Sequence, residues 1–138
     1  MGRRHHRLLL WCAATDTTFR HHQVRGRECL VGKCIHCNRK VVVELDIQSA
    51  SYATLEHICP RTHGGTNTQL NLAVACGGCN ASKGYRLDVR KWDDPTLQSV
   101  VEDLSARRRA RLRDPLFGLC LPPLSDEEAR AWAGEETR

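Results

Sequence analysis

Residues 55–84 read LEHICPRTHGGTNTQLNLAVACGGCNASKG, and the order of residue types in this stretch decides what the chain can fold into. The run leading into it, residues 52–58, reads as a strand. Pro60, Gly64, Gly65 and Asn67 all favour turns, so residues 60–69 read as a loop. Residues 71–75 make a second short strand. Gly77 and Gly78 then permit a sharp turn, after which residues 80–85 can form a short helix that Gly84 helps to end.

The stretch contains Cys76-Gly-Gly-Cys79, and the same spacing occurs upstream as Cys34-Ile-His-Cys37. Two C-x-x-C pairs let four sulfurs turn inward onto one tetrahedral Zn²⁺, with bonds of about 2.3 Å. The competing readings are disulfides or a redox C-x-x-C, and the doubling of the motif favours zinc. Cys12, Cys29, Cys59 and Cys120 lack such partners and read as buried small apolar residues. His36, inside the first knuckle, reads as a surface residue.

The rest of the composition explains why a staple is needed. In 138 residues there are seven aromatics, and glycine, arginine and histidine are plentiful, so the apolar core that must offset chain entropy is thin. The length fits one small domain with extensions. Residues 1–7 are basic and 8–14 apolar, which is superficially signal-like, yet the apolar run is short and no convincing small-residue cleavage site follows. With no span near the ~20 apolar residues of a membrane helix, the expectation is a cytoplasmic protein without membrane contact.

Lys and Arg exceed Asp and Glu by 21 − 16 = 5, unevenly. Arg3, Arg4, Arg7, Arg20, Arg25 and Arg27 face only Asp16 before the cysteine-rich middle, and Arg107, Arg108, Arg109, Arg111 and Arg113 form a second cluster. Such patches suit polyanions, the alternative being solvated faces that serve solubility.

Three regions follow: a basic arm over residues 1–27 with no clear period, a compact middle over 28–90, and a helical extension over 91–138. In the middle, valine-rich residues 40–45 read as a further strand. In the extension, Asp94 as N-cap and Pro95 at the first helical position open a helix whose stripe is Leu97, Val100, Val101 and Leu104. Continuing that stripe brings Arg108 and Arg111 to the apolar side, so the helix end is expected to overhang the core. Ser125 and Glu128 form a capping box for a last acidic helix carrying Trp132.

The ordered run Glu56-His57-Ile58 with Pro60, then Gly64-Gly65, Asn71-Leu72, and Cys76-x-x-Cys79-Asn80-x-x-Lys83-Gly84 resembles the HNH endonucleases. The resemblance covers residues 34–84. It implies an α+β fold built on a small ββα-metal core, stapled by Cys34, Cys37, Cys76 and Cys79 on structural Zn²⁺. It implies a metal-dependent nuclease that hydrolyses phosphodiester bonds in DNA. His57 would be the general base, Glu56 and Asn80 the ligands of a catalytic Mg²⁺ or Mn²⁺, and Asn71 the residue that orients the histidine. An imidazole titrating near neutrality suits proton transfer, and oxygen ligands suit a hard cation.

Two features strain that picture. Adjacent strand residues point to opposite faces, so Glu56 and His57 share a site only where the backbone or the helix allows it. Asn80 stands where many family members carry a final histidine, which touches metal preference more than activity. Arg61 and Lys83 are candidate phosphate clamps, with solvated surface charge as the alternative, and Arg107, Arg108, Arg109 and Arg111 are candidate DNA contacts. His63 sits in the glycine loop with no assigned role. A non-cleaving zinc-ribbon nucleic-acid binder needs the knuckles and the arginines but has no use for Glu56, His57 and Asn80.

Overall fold

The computed structural model describes residues 3–48 and 53–135. Tyr52, expected to begin a strand, lies outside the described residues, as do the side chains of Arg3 and Arg4.

The basic start of the chain is a helix, α1 (Arg3–Ala14). Its first turn is charged and its remainder apolar, so Leu8, Leu9, Leu10, Cys12, Ala13 and Ala14 are buried. Strand β1 (Arg20–Val24) follows and reverses at Arg25-Gly26, both at positive φ (53° and 76°), into β2 (Arg27–Lys33). Positive φ at both central residues gives the turn whose twist matches the flanking strands. β2 also pairs with β3 (Lys40–Glu44), completing an antiparallel sheet in the order β1-β2-β3. Phe19 lies flat against Gly32 of β2, where a Cβ would come within 2.4 Å of the ring.

A second antiparallel pair, β4 (Ala53–His57) and β5 (Leu72–Cys76), sets Ala53 opposite Cys76 and His57 opposite Leu72. The chain passes from β5 directly into α2 (Gly77–Arg86). This helix starts three residues earlier than the sequence pattern suggested, and Gly77 and Gly78 form its first turn rather than a separate bend. Residues three apart share a helix face, so this start keeps Cys76 and Cys79 on one side. The helix also runs past Gly84, ending at Arg86 with Leu87 as its C-cap.

α1 packs across both sheets, on β2, β3, β4 and β5, so the core forms between it and the strands. The region expected as an arm without assigned structure therefore supplies core side chains. α3 (Pro95–Arg111) and α4 (Asp126–Ala133) begin where their caps place them: Asp94 accepts from the Thr96 and Leu97 amides, and both halves of the Ser125–Glu128 capping box form. Trp132 of α4 meets Trp11 of α1 edge-on at 6.2 Å.

The end of α3 does not overhang. Arg108 is fully buried, donating from Nε to the Gln69 carbonyl (2.9 Å) and from its terminal nitrogen to Thr15 Oγ1 (2.9 Å). A guanidinium can continue an apolar stripe at reduced cost when carbonyl and hydroxyl oxygens meet its donors.

Candidate metal centre and active site

Four thiols converge first. Cys34 and Cys37 lie in the turn after β2, Cys76 ends β5 and Cys79 lies in the first turn of α2. Their sulfurs all fall within 4.8 Å of one another, with Cys37 and Cys76 at 3.9 Å. Tetrahedral zinc with bonds of about 2.3 Å needs sulfurs about 3.8 Å apart, so the cluster fits that ion. Cys34 Sγ accepts from the amides of His36 (3.4 Å) and Cys76 (3.3 Å), bonds that favour a thiolate although burial holds the Cys34 pKa above its ordinary value. Chiefly through the Arg39 backbone amide, the Cys37 thiol is pulled down to about 7. The eight cysteines are all free of disulfides. Among the others, Cys12 and Cys29 are buried as expected, and burial pushes the Cys12 thiol up to about 12, but Cys59 is half-buried and Cys120 is exposed.

The second convergence is a cavity of about 280 Å³ lined by Leu55, His57, Pro60, Arg61, Thr62, Asn80 and Asp88. His57 ends β4, and its Nε2 is 2.7 Å from Asn67 Oδ1. An amide oxygen only accepts, so Nε2 carries the proton and Nδ1 of the neutral ring keeps a lone pair. Burial, with Arg61 and Lys83 nearby, holds the His57 pKa below its usual value against the opposing pull of Asn67 and Glu56. α1 borders this region as well: burial, and then the proximity of His57, lowers the pKa of His5.

Asn71 does not reach the His57 ring. Its Oδ1 accepts from the Cys59 amide (2.7 Å) and its Nδ2 donates to the carbonyls of Cys59 (3.2 Å) and Thr66 (2.8 Å). It fastens both ends of the loop that carries Asn67, while Asn67, legible in the sequence only as a turn former, holds the ring. Gly64 and Gly65 make that loop possible. Gly64 has φ 84°, and a Cβ on Gly65 would lie 1.8 Å from the Cys59 carbonyl oxygen.

Glu56 departs from expectation. It is 1 % exposed and faces away from the cavity, with Lys83 Nζ at 2.9 Å and His36 Nε2 at 3.1 Å. Asn80 lines the cavity, donating to Thr54 Oγ1 (3.1 Å) and the Leu55 carbonyl (3.3 Å). The alternation of strand faces separates Glu56 from His57 as the pleat requires. The two expected ligands thus present no joint oxygen site.

The basic residues divide in the same way. Lys83 is buried, paired with Glu56 and with Asp88 (2.8 Å) and donating to the His57 carbonyl (3.1 Å), so it is no open phosphate clamp. Buried Arg108 is likewise withdrawn from solvent. Arg107 donates to the Ile35 and His36 carbonyls, and Arg111 to Lys33 O and Asn38 Oδ1, which ties the first knuckle to α3. Arg61, Arg107 and Arg109 are exposed, and Arg61 lines the cavity.

Two antiparallel strands leading straight into a helix, stapled by four thiols and ending one strand on a buried-side histidine, define a ββα module with a metal knuckle. Residues 34–86, from the first knuckle through α2, match the family model of the HNH endonucleases. No curated protein and no solved structure matches the chain. No helix among the described residues is long and apolar enough to cross a membrane.

Proposed function

We propose that this protein is a nuclease that hydrolyses phosphodiester bonds in DNA, with zinc on Cys34, Cys37, Cys76 and Cys79 as a structural staple. The observation that carries the reading is a neutral imidazole, fixed in one tautomer by Asn67, lining a cavity together with an exposed guanidinium. His57 Nδ1 takes the proton of an attacking water. Arg61 places positive charge beside the phosphate as it gains negative charge. A non-cleaving binder would gain nothing from a base held in this way.

A catalytic Mg²⁺ or Mn²⁺ on Glu56 and Asn80 would require Glu56 to exchange Lys83 and His36 for the ion. Chemistry of that kind would supply charge for the leaving alkoxide.

Supercoiled-plasmid nicking with Mg²⁺, with Mn²⁺ and with a chelator tests the reading, alongside bound zinc and melting temperature. His57→Ala should keep zinc and melting temperature and lose nicking by ~10²-fold or more, the usual contribution of a general base. Cys79→Ser should lose zinc and unfold, since the metal's binding energy is folding energy. Normal nicking by His57→Ala would sink the assignment.

A further inference from the structure

The strip from residue 85 to 92 reads YRLDVRKW and carries three large exposed apolar side chains: Tyr85 at 83 %, Val89 at 77 % and Trp92 at 43 %. Arg86, Arg90 and Lys91 stand exposed among them. The strip is tied down. Its Leu87 and Asp88 amides donate to the Lys83 carbonyl (2.8 and 3.0 Å), and Asp88 pairs with Lys83. Thr62 Oγ1 reaches the Asp88 carbonyl (3.4 Å), and His63 Nε2 donates to the Arg90 carbonyl (2.9 Å). The Trp92 ring rests against His63 with centroids 5.5 Å apart. Since Thr62 and Asp88 also line the His57 cavity, the strip is a fixed rim of that cavity.

We propose that this rim is a stacking platform for unpaired bases of the strand being cut, so that the preferred substrate is single-stranded or locally unpaired DNA. This rests on the nuclease reading above. Aromatic faces interleaved with cations suit single strands, because every unpaired base offers a π-face while the cations follow its phosphates. A duplex keeps those faces stacked and shows only base edges in its grooves. Asp88 shares Lys83 with Glu56, Asp94 is engaged by Arg90 and by the first turn of α3, and Asp93 stands exposed beside Trp92, so the cations left to follow a phosphate are Arg86 and Lys91. A protein partner would find the same apolar atoms but would leave Arg86 and Lys91 to be matched beside the His57 cavity.

The test measures binding of the full chain to a labelled mixed-sequence oligonucleotide, single-stranded and as its duplex, by fluorescence anisotropy, with tryptophan emission followed in parallel. Wild-type protein should favour the single strand. Tyr85→Ala and Trp92→Ala should each weaken single-strand binding about tenfold, the scale of one lost base stack, and leave duplex binding unchanged. Trp92→Phe should retain most of the affinity, and the emission quenching seen with wild type should disappear in it. Equal weakening for both DNA forms, or no weakening for either, overturns the platform. If wild-type protein bound neither form, the nuclease reading would fail and the rim with it. If wild type and the rim variants bound and nicked alike, only the platform would fall.

Discussion

Gly65 sets the tightest constraint on the loop that carries Asn67. Its Cα stands so close to the Cys59 carbonyl that any side chain collides with backbone, which cannot swing aside as a side-chain tip can. Its amide also donates to the Pro60 carbonyl at 3.0 Å. Gly65→Ala should therefore push the 59–60 backbone outward, cost about 1–3 kcal/mol of stability, and lower nicking further by displacing Asn67 from His57. Gly64→Ala meets no neighbouring atom and suffers only the left-handed backbone, so its cost should stay near 1 kcal/mol. Denaturant melts of the two variants decide between these outcomes, and equal costs would show that the Cys59 contact is not limiting. Asn67→Leu should preserve zinc and melting temperature while slowing nicking roughly two- to tenfold, the rate equivalent of one hydrogen bond of about 0.5–1.5 kcal/mol. A fully active Asn67→Leu would show that the ring needs no such holder.

Among the elements, α3 shows what a sequence reveals and what it hides. Its start is local, an Asp followed by Pro whose side chain satisfies the first amides, and such signals are legible because they involve neighbours in the chain. The same holds for the Ser125–Glu128 box, for β3, β4 and β5 to within a residue or two, and for the paired knuckles. The fate of its arginines is not local. The helical stripe puts Arg108 and not Arg109 on the apolar side, but the oxygens that let it be buried there belong to Thr15 and Gln69, 93 and 39 positions away, which the run RRRAR cannot show. Arg108→Ala should leave the Gln69 carbonyl and Thr15 hydroxyl unpaired beside a void and cost on the order of 3 kcal/mol or more. Its effect on the salt dependence of DNA binding should be nil. Arg109→Ala should leave stability within about 0.5 kcal/mol, as exposed substitutions do. A flattened salt slope in Arg108→Ala with unchanged melting would return the residue to the DNA surface. The candidate site divides on the same line: His57, Arg61 and Asn80 line one cavity, whereas the Glu56–Lys83–His36 cluster joins residues up to 47 positions apart by a pleat and a knuckle that only the folded chain brings together.

Across the whole molecule, the two ends of the chain close on each other, and this explains why the first 27 residues resist reading. α1 has a charged beginning and an apolar end instead of a sustained helical stripe, and β1 is exposed along its whole length, so neither shows the period of a half-buried element. Their stability comes from distant partners. Trp11 Nε1 donates to the Pro122 carbonyl at 2.8 Å, Trp11 meets Trp132, and Arg7 reaches Glu128 at 2.9 Å with side-chain exposures of 26 % and 4 %. Burial alone would raise the Glu128 pKa, but the Ser125 amide and the Arg7 guanidinium together hold it below the usual 4.5. A carboxyl with a depressed folded-state pKa stabilises the fold above its ordinary pKa, and that contribution is lost as pH falls through the folded value. In a double-mutant cycle of Arg7→Ala and Glu128→Gln, the coupling should be about 1 kcal/mol at neutral pH, as for a partly exposed pair, and should fade as pH drops below 4.5. Because the cycle takes differences among four proteins with the same zinc site, loss of metal affinity in acid cancels from the coupling. A coupling that is absent at neutral pH, or that persists unchanged in acid, would show that α1 and α4 are joined by the tryptophan contact alone.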